Sequence, residues 1–213
     1  MVTKLSRQAT LRQSPPRGAR TLTSPFVILV AALLVVGSLV WAVVLASDDQ
    51  EATNIACPIS PEAREAGMST VGAQALDDVS PAHLPEIRVR VLNANGQTGQ
   101  AGAIAARLAE IGFLPAEDGA ATNDSIYPAQ DLECHGQIRF GEAGEGAARS
   151  LSLAAPCMEL VADQRETATV DLALGTTFAE LTDSGEGIAA LDSLGSGTDP
   201  EPDQITQARA VSC

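Results

Sequence analysis

Residues 26–46 read FVILVAALLVVGSLVWAVVLA, a run of 21 residues without a charge. At about 1.5 Å per residue, a helix of that length spans about 31 Å, the thickness of a bilayer's hydrocarbon core. A buried helix in a globular core is rarely so long or so uniformly apolar. Gly37 and Ser38 are tolerable within it, because a helix satisfies its own backbone. Trp41 lies near one end, where an amphipathic ring prefers the interface. The run predicts one transmembrane helix over 26–46. Five basic residues precede it (Lys4, Arg7, Arg12, Arg17, Arg20) with no acid among them, and Asp48, Asp49 and Glu51 follow. The bias toward positive charge inside then places a basic tail, 1–25, in the cytoplasm and 47–213 outside, as a single-pass protein of the cell membrane. The tail can also rest on an anionic inner leaflet. A cleaved signal peptide is the competing reading, since Val44-Leu45-Ala46 offers small residues. Signal peptides, however, carry shorter apolar cores of about 7–15 residues, which favours an uncleaved anchor.

The run also divides the charge. The whole chain carries −14. All 27 acids follow the run, against eight bases, so the exported part stands at −19. A nucleic acid needs a basic face and is excluded as a partner on that side. Cys57, Cys134, Cys157 and Cys213 all fall there too. In an oxidising compartment an even number of cysteines reads as disulfides, and no two have the CxxC spacing of a zinc site. Three pairings are open. Cys134 and Cys157 each precede a predicted strand, whereas Cys57 and Cys213 lie in the flanks. The expected pairing is therefore Cys134–Cys157 and Cys57–Cys213.

Residues 47–85 read as a linker rich in Ala, Pro, Glu and Ser. It holds at most a short helix near Ser60, where Ser60 can cap and Pro61 suits the first turn. From Glu86 the pattern becomes that of a folded domain. IRVRVLN (87–93) alternates as a half-buried strand, and Asn93 to Gly96 is a turn. Ala101, Ile104, Ala105, Leu108 and Ile111 share one face of a helix that Gly112 ends, and Phe113-Leu114 begins an extended piece. A polar loop, 117–135, contains Tyr127. GQIRFG (136–141) is a strand, followed by a helix over 143–155 with Ala147, Ala148 and Leu151 inward, stopped by Pro156. MELVA (158–162) and ATVDLAL (168–174) are two further strands. Residues 182–213 show no periodicity and read as a flexible acidic tail. The expectation is a small layered α/β sandwich over 86–181, in the order β-α-β-β-α-β-β, preceded by one transmembrane helix.

Three blocks of this region resemble the LytR C-terminal domain: VRVLNANGQTGQAGAIAARLAEIGF (89–113), QIRFGEAGEGAARSL (137–151) and VDLALGTTF (170–178). TNDSIYPAQDLECHGQIRFG (122–141) and LAAPCMELV (153–161) are similar to a group of short, single-pass actinobacterial envelope integrity proteins. The resemblance implies a role in cell envelope integrity. In LytR–CpsA–Psr proteins the same domain follows a glycopolymer transferase domain, for which the stretch between membrane and first strand has no room here. Transferase activity is therefore not carried over, and neither is transcriptional attenuation by DNA binding.

Little catalytic chemistry remains. Lys4 is the sole lysine and lies on the cytoplasmic side, and there is no GxSxG elbow or HExxH motif. His83 and His135 stand near no nucleophile at meaningful spacing. No catalytic residue, cofactor or metal is expected. Two glycine-rich turns open helices. At the second, Glu142 and Glu145 complement the helix dipole themselves and would repel a phosphate. The first, Gly96-Gln97-Thr98-Gly99, is uncharged and suits a neutral or glycan ligand. The plainer reading of both is that a tight strand-to-helix turn needs glycine. The candidate ligand or partner surface is Asn93, Asn95, Gly96, Gly99 and Tyr127. The expected function is a non-catalytic envelope-integrity protein that binds or scaffolds an envelope glycan, a lipid or a cell-wall biosynthesis protein. The rival reading is an accessory subunit of an envelope glycopolymer ligase or transferase.

Overall fold

The computed structural model describes residues 25–38, 41, 56–182, 184–211 and 213. The chain divides into two units, Met1–Ala46 and Ser47–Cys213. In the first, residues 25–38 are helical (α1), as is Trp41. Phe26, Leu33, Leu34 and Trp41 are each between 63% and 72% exposed. Ser38 donates its hydroxyl to the Leu34 carbonyl at 2.8 Å, which keeps that group satisfied within the helix. No helix among the described residues is long and apolar enough to cross a membrane. Residues 39–40 and 42–46 of the expected span lie outside the described residues, as does 1–24 of the basic tail.

The second unit begins with α2 (Pro61–Glu65) and β1 (Ser69–Val71). Ser60 caps α2 as expected, its hydroxyl accepting from the Ala63 N–H at 3.1 Å. Then follow β2 (Arg88–Asn93), α3 (Gln100–Ile111), β3 (Leu114–Pro115), β4 (Ala121–Asn123), β5 (Gly136–Phe140), α4 (Glu145–Ala154), β6 (Glu159–Ala162) and β7 (Val170–Leu174). The strands form one sheet in the order β1-β6-β5-β7-β2-β3, with β4 also on β2. The pairs β2–β7 and β5–β6 are parallel, while β5–β7 and β1–β6 are antiparallel. β3 pairs with Arg88 and Val89, and β4 with Val91 to Asn93, so the two short strands share one edge of β2.

Strand alternation separates two faces. Val89, Val91, Ile138 and Leu172 point into the main core, against Ala101 and Leu108 of α3 and Ala148 and Leu151 of α4. The opposite face carries two smaller apolar clusters. One joins Cys57, Leu92, Tyr127, Leu132, Cys134 and Ala173, and the other joins Ala63, Met68 and Val161.

The expected order over 86–181 gains one strand, β4, inside the polar loop. The flanks differ more. The expected linker is part of the fold from Cys57 onward: β1 extends the sheet, and Leu76 and Leu84 are 2% and 0% exposed. The expected flexible tail is two helices, α5 (Gly185–Gly195) and α6 (Pro202–Arg209). Ser184 caps α5 by accepting from the Gly187 N–H at 3.0 Å. Ala190, Leu191, Leu194 and Ala208 are buried in the main core. Those apolar positions hold the tail down, and Arg209 adds an ion pair to Asp77 at 2.6 Å.

The disulfide pairing also differs from the expected one. The bridges are Cys57–Cys134 and Cys157–Cys213, with Cα separations of 5.0 and 5.5 Å. Cys134 sits in the cluster with Leu92 and Ala173, on the face away from the helices. Cys157 follows α4 in the helical layer, so the sheet separates the two. Each bridge fastens one flank to the central domain. In the chain-entropy picture, closing loops of 77 and 56 residues is worth about 4 kcal/mol each.

Candidate functional site

On the face away from the main core, β2 presents Arg88 and Arg90, β7 presents Asp171, and β5 presents Gln137 and Arg139. The register sets Asp171 opposite Arg90 on one side and Arg139 on the other. Arg90 grips Asp171 in a two-pronged pair, Nε to Oδ1 at 2.9 Å and Nη2 to Oδ2 at 3.0 Å. Its remaining nitrogen, Nη1, reaches Asp118. Arg165, from the β6–β7 loop, bridges Asp163 at 2.6 Å and Asp171 at 2.7 Å and donates to the Thr169 carbonyl at 3.1 Å. Arg139 is 2% exposed. It pairs with Asp124 at 2.7 Å, donates to Gln137 at 3.0 Å and lies 5.5 Å from the centre of the Tyr127 ring.

These groups line a groove of about 990 Å³, walled by the 117–126 segment on one side and the 163–169 loop on the other. Four of the eight arginines of the acidic part gather there. Hydrogen bonding to Asp171 raises the Arg90 pKa, against burial. Burial works to lower that of Arg165, but hydrogen bonds and the charges of Asp163 and Asp171 outweigh it, and the net shift is upward. Both guanidinium groups are thus locked in their charged form. At the disulfide-linked end of the same face, Glu159 is buried and accepts from the Cys57 N–H and from Gln137, both at 3.3 Å. Burial raises its pKa despite those hydrogen bonds.

Apart from Tyr127, whose ring lies against Arg139, the sequence-derived surface lies elsewhere. Asn93 Oδ1 accepts from the N–H groups of Asn95 and Gly96 at 3.3 and 3.1 Å. Asn95 Nδ2 donates to Gln100 at 2.6 Å and to the Gly175 carbonyl at 3.0 Å. The two asparagines therefore build the turn they stand in. Gly96 and Gly99 adopt φ +76° and +82°, the left-handed conformation that favours glycine, and remain exposed. Tyr127 is 5% exposed; its hydroxyl donates to the Pro58 carbonyl at 3.1 Å and accepts from the Ser60 N–H at 3.4 Å. It fastens the N-terminal flank, separately from the turn. The groove was not singled out from sequence. Its one local signal is the Arg-x-Arg spacing in IRVRVLN, and Asp171 in VDLAL supplies the matching acid.

A mixed sheet with helices layered on one face and two disulfide-fastened flanks defines a small disulfide-stabilised α/β domain. The LytR cell envelope-related transcriptional attenuator family matches residues 86–178. The chain is 38% identical, over 89% of its length and 89% of the relative's, to the cell envelope integrity protein Cei of Mycobacterium tuberculosis. The fold is similar to the crystal structure of the soluble domain of a conserved hypothetical secreted protein from Mycobacterium marinum, at 43% identity and a TM-score of 0.63. That likeness covers 68% of this chain and 97% of the other. The chain belongs to the Cei family of envelope integrity proteins, built on a LytR C-terminal domain.

Proposed function

We propose that this chain is a membrane-anchored, extracytoplasmic, non-catalytic protein that supports cell envelope integrity by binding or scaffolding envelope components. The 38% identity to Cei over 89% of the chain carries the reading. The uncharged run at 26–46, with bases before it and acids after, supports the anchor and its direction. The two disulfides suit an oxidising compartment. The groove's charges are tied to one another in fixed ion pairs, an arrangement suited to recognition more than to proton transfer.

Deleting the gene in its native host should raise envelope permeability to a membrane-excluded dye, and the full chain should restore it. A chain whose 26–46 run is replaced by a cleaved export signal should restore it less well. Unchanged permeability after deletion would overturn the envelope reading. External protease on spheroplasts should remove the region after residue 47, and protection of that region would reverse the orientation.

A further inference from the structure

The arginines of the groove are held in two different ways. Asp171 in the floor, with a side chain 4% exposed, and Asp163 at the wall, at 12%, are largely buried. Glu117 and Asp118 are 82% and 64% exposed. They sit side by side on a turn that the Gly119 N–H closes onto the Ala116 carbonyl at 3.1 Å. Glu117 reaches Arg88 at 3.6 Å, a loose pair, and Asp118 reaches the one Arg90 nitrogen that Asp171 leaves over. Exposed pairs of this kind contribute little to folding, because water and salt screen them. Arg88, 44% exposed, also donates to the Pro115 carbonyl at 3.4 Å.

We propose that Arg88 and Arg90 form a carboxylate-binding subsite, and that Glu117 and Asp118 occupy it as internal stand-ins until a ligand's carboxylate displaces them. The inference rests on the envelope-binding reading above and assigns the groove as its site. The charge balance defines the ligand. With Glu117 and Asp118 displaced, four arginines (Arg88, Arg90, Arg139, Arg165) face three acids (Asp124, Asp163, Asp171). The groove then carries one uncompensated positive charge and matches a single anionic group. A polyanion would meet the buried acids and the −19 charge of residues 47–213. The groove's volume of about 990 Å³ leaves room for a polar body behind the carboxylate, such as a sugar acid or the C-terminus of a short peptide.

The test uses the full chain in a neutral detergent, with the arginine Nε–Hε NMR signals followed during titration with sodium acetate. Acetate should move the Arg88 and Arg90 signals. The double variant Glu117→Gln/Asp118→Asn, which alters only exposed side chains, should bind acetate about fivefold more tightly, because two internal competitors are gone. Adding Arg88→Gln should remove that gain. Glucuronate and N-acetyl-alanyl-alanine then distinguish a sugar source from a peptide source, the tighter one naming it and equal binding assigning recognition to the carboxylate itself. No gain in the double variant, or a gain that survives Arg88→Gln, would show structural ion pairs only. Tighter binding of inorganic phosphate than of acetate would overturn the carboxylate assignment. Failure here leaves the envelope role standing, since dye permeability of the deletion strain reads that role separately.

Discussion

Asp171 and Leu172 are neighbours in β7 and face opposite sides of one sheet. Leu172 meets the helical layer, where α3, α4, α5 and α6 bury Leu, Ile and Ala side chains in a single core. Asp171 meets Arg90 and Arg165 on a face closed by two small clusters and a charged groove. The apolar face holds by shape and area, so many residues share its energy. The charged face holds by pairing, so removing the Asp171 carboxylate takes a partner from two guanidinium groups at once, leaving Arg90 with Asp118 and Arg165 with Asp163. Within the groove, Asp171 is buried under its two arginines, whereas Glu117 and Asp118 pair from the exposed rim.

The comparison can be broken first at its centre. Leu172→Ala, at a 0% exposed position, should cost about 2–5 kcal/mol in urea unfolding of the full chain, through lost burial and the cavity left behind. Asp171→Asn keeps the shape but removes the charge, and should cost about 3 kcal/mol by leaving Arg90 and Arg165 short of a counter-charge. A loss below about 1 kcal/mol would mean that the floor of the groove is solvated and that the contrast between the faces is only one of polarity.

Glu159 sharpens the comparison through pH. Its folded-state pKa lies above the ordinary value of 4.5, mainly because of burial. The folded chain therefore retains a proton that the unfolded chain gives up. The stability this group contributes is full below about pH 4.5 and falls as pH climbs through the folded pKa. Glu159→Gln should flatten that decline while retaining an acceptor for the Cys57 N–H. Parallel stability–pH curves for wild type and variant would show that Glu159 titrates normally. The smallest effect is expected at the rim. Glu117→Gln should change stability by less than about 1 kcal/mol, and raised salt should erase the difference. A larger, salt-resistant loss would make the rim structural.

Much of the central domain could be read from local pattern. The alternation of Val89 and Val91 with Arg88 and Arg90 gave β2, and the spacing of Ala101, Ile104, Ala105 and Leu108 gave α3 with Gly112 as its end. The tail helices were harder to see. Gly187, Ala190, Leu191 and Leu194 do follow helical spacing, but Gly187 itself and Asp192 and Ser193 among them lower both propensity and apolar content. β1 and β4 have three residues each, too few to show a period. The disulfide pairing depends on which side of the sheet each cysteine lies, which spacing does not encode. The groove failed to show for a related reason: Arg90 and Asp171 are 81 residues apart, and each alone looks like an ordinary solvated charge on a strand. The polar turn at Asn93–Gly99 drew attention because asparagine and glycine suggest exposure, yet the asparagine side chains are spent on closing the turn itself.

The Cys57–Cys134 bridge gives the domain a defined mechanical entry point. Tension applied from the N-terminal side passes at Cys57 directly into Cys134, two residues before β5. The 76 residues between those cysteines, including α2, β1 and β2, form a slack loop outside the line of force. β1, the short edge strand that would otherwise peel away one hydrogen bond at a time, is thereby shielded. Load is delivered instead at the base of β5, an inner strand flanked on both sides, where its backbone bonds to β6 and β7 resist together.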